Sequence, residues 1–183
     1  SHVLQEEKFE DLSYPFNILI PAEFDGAMEE AVFMPWVNLS QKGNFPLDFE
    51  TYTLELGSEE MASQKLAKSQ TNTILNFLIK RGVIKSDSSL ETKAPSHQYN
   101  FLLDNFKSYY SPTGGVIEYL FSPGDYVEKG QNLARIINFK SKEKKETFLQ
   151  ALKNCWIINH STLGSVCSGT EIFTVGELPI KNC

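Results

Sequence analysis

The feature that most constrains the fold is a repeat in the second half of the chain, at a spacing of 39 residues. Its matched positions are Val127, Gly130, Leu133 and Ile136, which recur as Val166, Gly169, Ile172 and Val175. Because Leu133 and Ile136 lie three residues apart, a strand can turn both to one face only with a bulge or bend. The repeat predicts two interleaved halves of a flattened β-sandwich.

The rest of the second half consists of short β-prone runs separated by Gly, Pro, Asn and Ser. The runs are residues 100–110, 115–121, 132–139, 155–160 and 171–176. Residues 143–153 fit either a strand or a helix, and Pro123-Gly124 suits the central positions of a type II turn. We expect an all-β domain at 98–183, after a linker at 89–97.

The first half, residues 1–88, alternates strand and helix patterns, as an α/β domain does. The apolar run at 16–20 predicts a buried parallel strand. Asp25 is placed to cap a short helix that Pro35 ends or kinks, and residues 40–50 have the composition of a loop.

The strongest helix pattern covers roughly residues 59–81, with Gly82 as its C-terminal cap. Its apolar stripe comprises Ala67, Thr71, Ile74, Leu75 and Leu78.

Residues 51–56, Thr-Tyr-Thr-Leu-Glu-Leu, predict a second parallel strand in the first half. Side chains alternate along a strand, so Thr53 and Glu55 share one face while Tyr52 and Leu54 share the other. Gly57 ends this strand. A carboxylate at the end of a strand, before a helix, lies where open α/β sheets bind ligands. The alternative is that Glu55 is an ordinary, partly exposed residue at a strand end.

Composition excludes several classes of partner. The formal net charge is −6, and the chain has only two arginines, Arg81 and Arg135, so we expect no nucleic-acid partner. No apolar run approaches the ~20 residues that span a bilayer, and the polar, acidic start is unlike a signal peptide. Three cysteines without a dense framework are typical of reduced thiols in a cytoplasmic protein.

Two motifs, in this order, resemble the succinylglutamate desuccinylase/aspartoacylase family. The first is Thr-Leu-Glu-Leu-Gly at 53–57, preceded by Phe-Asp-Gly-Ala at 24–27. The second begins with Ser-Pro-Thr-Gly-Gly-Val at 111–116 and continues to Gly130, and it is similar to the family's C-terminal β-domain. That domain is similar in turn to the barrel-sandwich fold of biotinyl and lipoyl carriers. The resemblance covers most of residues 16–176.

The resemblance implies a zinc-dependent hydrolase that removes N-acyl groups from amino acids and has a carboxypeptidase-like α/β domain. Glu55 matches the family's glutamate, which activates the zinc-bound water and shuttles its proton. The family's zinc site needs a His-x-x-Glu motif and a later histidine, both upstream of that strand. None of His2, His97 and His160 has a glutamate three residues later. We therefore expect a C-terminal portion of such an enzyme: zinc in the intact parent protein, none in this chain, and no activity from this chain alone.

Other interpretations remain open. Lys140 stands ten residues after Gly130, the spacing of a biotinyl or lipoyl lysine, although Phe139 and Ser141 are not the usual neighbours. Cys155, His160 and Cys167 are ligand types that zinc accepts. The chain could also be a non-catalytic interaction module. The acyl group, the amino acid and any homo-oligomer are undetermined by the sequence.

Overall fold

The computed structural model describes residues 12–19, 28–46, 52–56, 62–85, 97–140 and 145–180. The chain forms two compact units. The helical unit comprises residues 1–12 and 20–93, and the β unit comprises residues 13–19 and 94–183. The linker at 89–97 and the boundary at residue 88 stay predictions.

The described part of the helical unit contains two helices, α1 (Met28–Gly43) and α2 (Gln64–Lys80). Helix α1 continues past Pro35, so of the two predicted alternatives, an end or a kink, the end is wrong. The loop predicted at 40–50 is wrong for residues 40–43, which are helical. Proline removes one helical hydrogen bond, which weakens a helix at that point. The helical residues after Pro35 include Val37, which is buried. Asp25, the predicted cap, lies outside the described residues. Neither helix is long and apolar enough to cross a membrane.

Helix α2 begins later than predicted. Its cap is Ser63, whose hydroxyl accepts a hydrogen bond from the backbone N–H of Leu66 at 3.2 Å. Gly82 ends it as predicted, with a φ of +71° that suits glycine. The N–H of Gly82 bonds to the carbonyl of Ile79, and the next N–H bonds to that of Leu78, each at 2.9 Å. This is a Schellman motif, which fixes the backbone where α2 ends.

The predicted parallel pair in the first half is wrong. Residues 52–56 belong to no strand. The run at 16–20 does contain a strand, β1 (Phe16–Leu19), but it pairs in parallel with β2 (Tyr99–Leu102) of the β unit. The side chain of Asn17 donates to that of Asn100 at 2.9 Å, so this pairing satisfies a buried amide. Periodicity predicts that a run is a strand, but it does not name the partner strand.

Within its described residues, the β unit continues from β2 through a 3₁₀ turn at Leu103–Asn105 into eight more strands. They are β3 (Phe106–Tyr110), β4 (Gly115–Tyr119), β5 (Tyr126–Val127), β6 (Asn132–Ile137), β7 (Glu146–Gln150), β8 (Cys155–His160), β9 (Ser165–Val166) and β10 (Glu171–Gly176). They form two four-stranded antiparallel sheets, in the orders β3–β10–β8–β5 and β7–β6–β4–β9. The ambiguous segment at 143–153 thus contains a strand. The short strands β5 and β9 were not predicted.

The two sheets are assembled from interleaved halves, as the repeat predicts. Strands β3 to β6 correspond in order to β7 to β10, and each sheet takes two strands from each half. Register shifts occur between Asn132 and Ala134 on β6, and between Glu171 and Phe173 on β10. These positions are 39 residues apart, so the predicted bulge is present in both copies.

The glycines of the repeat also match. Gly130 has a φ of +88° and Gly169 a φ of +86°, which glycine adopts without strain. Gly130 donates to the carbonyl of Ala151 and Gly169 to that of Ser111, each at 2.8 Å. The two glycines therefore play the same part at the start of equivalent strands.

The core of the β unit is one cluster of side chains from both sheets. It comprises Tyr109, Ile117, Val127, Leu133, Ala134, Ile136, Ala151, Cys155, Ile157, Val166, Ile172, Phe173 and Val175. All eight matched positions of the repeat except the two glycines lie in it. Outside the core, the ring of Tyr99 lies 4.2 Å from that of Trp156, which packs the β1–β2 pair against β8.

Candidate functional site

Glu55 lies in a segment whose side chains alternate in exposure. Tyr52 and Leu54 are half-buried, whereas Thr53 and Glu55 are exposed. This agrees with the predicted assignment of faces, except that Leu56 is also exposed. The carboxylate of Glu55 is therefore open to solvent, where it could exchange a proton with water or with a bound molecule.

Three side chains fix the start of this segment against the end of α2. The guanidinium Nη2 of Arg81 donates to the Tyr52 hydroxyl oxygen at 3.2 Å. The Tyr52 ring meets the Phe77 ring edge-on, with centroids 5.4 Å apart and planes at 75°. The Arg81 Cζ lies 5.3 Å from the Phe77 ring centroid, within the range of a cation–π contact. We call Tyr52, Phe77 and Arg81 the anchor.

The anchor was not predicted from the sequence. In the sequence, Arg81 counts only as one of two arginines, and Tyr52 only as a residue on one face of a predicted strand. The available signal is the order of elements: a helix that runs back along the segment before it brings its last turn near that segment's start. The end of that helix carries Arg81, whose guanidinium can donate to a hydroxyl oxygen.

No metal site is present among the described residues. No group of three or more His, Cys, Asp or Glu side chains could hold a metal ion there. The proposed set of Cys155, His160 and Cys167 is therefore wrong as a metal site. Cys155 is buried in the core, and Cys167 is exposed. The His160 ring stacks on the Tyr119 ring, with centroids 4.5 Å apart.

The surroundings of Cys155 also disfavour metal binding. Burial, with a smaller contribution from the Glu177 carboxylate, raises the pKa of the Cys155 thiol to about 11. Metals bind the thiolate, so a thiol that holds its proton is a poor ligand. Glu177 is itself buried and accepts from the Lys153 ammonium at 2.7 Å. This group of side chains stabilises the β unit and does not form a metal centre.

Lys140 lies in the connection between β6 and β7, which joins the two halves of the repeat. It is exposed, and its backbone N–H donates to the side chain of Asn138 at 3.0 Å. Phe139 beside it has 78% of its surface exposed. The next residues, 141–144, lie outside the described residues. The carrier interpretation of Lys140 thus stays a prediction.

No protein-family model and no curated protein matches this chain. Solved structures do match it. A Shewanella frigidimarina protein assigned as a succinylglutamate desuccinylase/aspartoacylase is 28% identical, with a TM-score of 0.79 over 94% of this chain and 48% of that one. A succinylglutamate desuccinylase/aspartoacylase family protein from Shewanella amazonensis is also 28% identical, with a TM-score of 0.79 over 96% of this chain and 50% of that one.

A more distant match shows a likeness of fold alone. The ectoine utilization protein EutE (DoeB) from Ruegeria pomeroyi is 20% identical, with a TM-score of 0.64 over 93% of this chain and 47% of that one. The chain spans about half the length of each of these proteins. The predicted resemblance is therefore confirmed: this chain is a structural relative of the succinylglutamate desuccinylase/aspartoacylase family proteins, and its fold matches the C-terminal part of theirs.

Proposed function

We propose that this chain is the C-terminal part of an enzyme that hydrolyses N-acyl amino acids. The observation that carries the proposal is the match to two family proteins at 28% identity over at least 94% of the chain. The solvent-open carboxylate of Glu55, in the motif that resembles the family's, supports it. The substrate would be a small N-acyl amino acid, and the bond broken would be its amide.

Glu55 would act as the general acid and base. As a base it takes a proton from the water that attacks the acyl carbon. As an acid it then gives the proton to the amine nitrogen that leaves. Such a group typically contributes ~10²–10⁴-fold to the rate. Both steps require that the carboxylate face the substrate, and the exposed face shared with Thr53 provides that direction.

The described part of the chain does not fit zinc, the metal that the family implies. It offers no group of ligands, so in this proposal the ligands are supplied by the parent protein outside this chain. Zinc would polarise the amide carbonyl and acidify the attacking water. The 183-residue chain alone should then show no hydrolysis and, after dialysis, well under one zinc per chain.

The β unit would be a barrel-sandwich domain of the biotinyl and lipoyl kind. The interleaved four-stranded sheets support this assignment. A cytoplasmic location is supported by the odd cysteine count and by the free thiols of Cys155 and Cys167.

The proposal can be tested with the full-length parent protein and a panel of N-acetyl and N-succinyl amino acids, by measuring release of the free amine. Wild type should hydrolyse at least one substrate. Glu55→Gln keeps the shape and removes the base, so turnover should fall at least about 10²-fold. Glu118→Gln, an exposed glutamate paired with Arg135, is the matched control and should behave as wild type. Absence of hydrolysis, or normal turnover by the Glu55 variant, would contradict the proposal.

A further inference from the structure

We infer that the anchor of Tyr52, Phe77 and Arg81 is a positioning device for Glu55: it fixes which face of its segment the carboxylate occupies. This inference rests on the proposed function of Glu55. None of the three side chains needs to touch substrate. Their effect on the reaction would pass entirely through the direction of one carboxylate.

Side chains alternate in exposure along the segment that carries Glu55. Tyr52 turns toward α2, so Thr53 and Glu55 turn away from it. A slip of one residue would exchange the two faces and place Glu55 against the helix. The contacts of Tyr52 with Phe77 and Arg81 are placed to set this facing.

The C-terminal end of α2 holds Arg81 at a fixed point. Arg81 is the residue at which α2 ends, and its N–H bonds to the carbonyl of Phe77 at 3.0 Å. The Schellman motif at Gly82 fixes the backbone immediately after it. The guanidinium thus projects from a fixed point and contacts both the hydroxyl of Tyr52 and the ring of Phe77. A planar donor with several N–H groups can make both contacts at once, which a lysine ammonium does less well.

The rate of the reaction depends on where the Glu55 carboxylate lies. A shift of about 1 Å in a reacting group can lower a rate about 10²-fold, even when the substitution is far from the chemistry. Loosening the anchor should therefore lower kcat by about 10–100-fold, with little change in KM. The effect should vanish when Glu55 no longer carries the proton.

The test uses Tyr52→Phe and Arg81→Met in the full-length parent protein, with and without Glu55→Gln. Tyr52→Phe keeps the ring contact with Phe77 and removes only the hydroxyl. Of these variants, it should therefore disturb folding least. Each should lower kcat about 10–100-fold alone, and neither should lower it further in the Glu55→Gln background. Arg81→Lys keeps a cation and a hydrogen-bond donor, so its kcat should lie between those of Arg81→Met and the wild type. Arg135→Met removes the other arginine of this chain and should leave kcat unchanged.

A second measurement reports the contact without any assay. In the 183-residue chain, the two arginines should give two sets of side-chain NMR signals. The set that disappears in Arg135→Lys belongs to Arg135, and the remaining set belongs to Arg81. The Arg81 guanidinium should rotate slowly in the wild type and faster in Tyr52→Phe. Equal rotation rates would show that the bond does not hold the guanidinium, and would overturn the inference.

The outcomes separate this inference from the proposed function. Loss of activity in Glu55→Gln with normal kcat in Tyr52→Phe and Arg81→Met overturns the positioning role and leaves the proposed function intact. An equal loss in both backgrounds means that the anchor only stabilises the fold, which also overturns it. An inactive wild type, or a fully active Glu55→Gln, removes the proposed function and the positioning role together.

Discussion

The helical unit and the β unit bury their apolar side chains to very different extents. In the described part of the helical unit, Leu12 and Val37 are the only buried apolar residues, and α2 has no buried residue. In the β unit, Val127, Leu133 and Phe173 have no exposed surface at all, and both sheets contribute to one core. The β unit therefore builds its own core, whereas the helical unit holds the segment of Glu55 through a few aromatic and polar contacts.

Helix α1 of the helical unit exposes a stripe of apolar side chains. Val32, Trp36 and Leu39 fall at helical spacing on one stripe, and each has at least half of its surface exposed. Such a stripe is typical of a helix that packs against more protein. It agrees with a chain that spans about half the length of its structural relatives.

The largest effect should come from emptying the core of the β unit. Phe173→Ala should lower the free energy of unfolding by about 3–5 kcal/mol, because a buried ring is lost and a cavity remains. Leu75→Ala on α2, which removes a half-buried side chain, should lower it by only about 1 kcal/mol. Urea unfolding followed by Trp156 fluorescence, in a Trp36→Phe background, measures the first, and circular dichroism measures the second. Equal losses would erase the contrast between the units.

A smaller effect tests the equivalence of the two halves of the β unit. Gly130→Ala and Gly169→Ala should each cost about 1–2 kcal/mol, since both place a side chain in the left-handed region. A Cβ at either position would have no atom within 4 Å, so the cost is backbone strain alone. Gly164→Ala is the matched control: it also has open space, but its φ is not in the left-handed region, so stability should change little. Clearly unequal costs at the two glycines would contradict the equivalence.

The β unit was more predictable from the sequence than the helical unit. In the β unit, the spacing of Leu133 and Ile136 was enough to predict interleaved halves and a bulge in each, because apolar periodicity reports which face is buried. The two-residue strands β5 and β9 are too short to show a period. In the helical unit, β-propensity at 51–56 predicted a strand, but strand formation depends on a partner that this segment does not have among the described residues.

The candidate site was predictable only in part. The motif around Glu55 was recognisable as a family resemblance, and its exposed face followed from alternation. The anchor was not predictable, because a hydrogen bond between residues 29 apart leaves no local pattern. The failure of the cysteine and histidine set has the same origin. Residue type suggested ligands, but the burial of Cys155 was a property of the folded core.

A loss of stability at high pH should also appear in the β unit. Burial raises the pKa of Cys155 from 9.0 to about 11, and burial also raises the pKa of Tyr109. The folded state thus holds the Cys155 proton more tightly than the unfolded state does. Its stabilising contribution should be complete below pH 9 and should be lost as the pH rises to about 11.

This pH dependence can be measured by urea unfolding at pH 8, 9, 10 and 11, with Trp156 as the reporter. Cys155→Ala should flatten the decline between pH 9 and 11 without removing the contribution of Tyr109. In the same protein, the exposed Cys167 should react rapidly with a thiol reagent while Cys155 does not. A decline of the same steepness in Cys155→Ala would show that this thiol is not its cause.

The most direct measurement of the division between the two units compares two glutamates in the full-length parent protein. Glu55 is exposed in the helical unit, and Glu177 is buried in the β unit and paired with Lys153. Glu55→Gln should lower turnover at least about 10²-fold and leave the unfolding midpoint nearly unchanged. Glu177→Gln should lower stability by about 1–3 kcal/mol and leave turnover per folded molecule unchanged. The reverse result, a stability loss without a turnover loss at Glu55, would contradict the assignment of the chemistry to the helical unit.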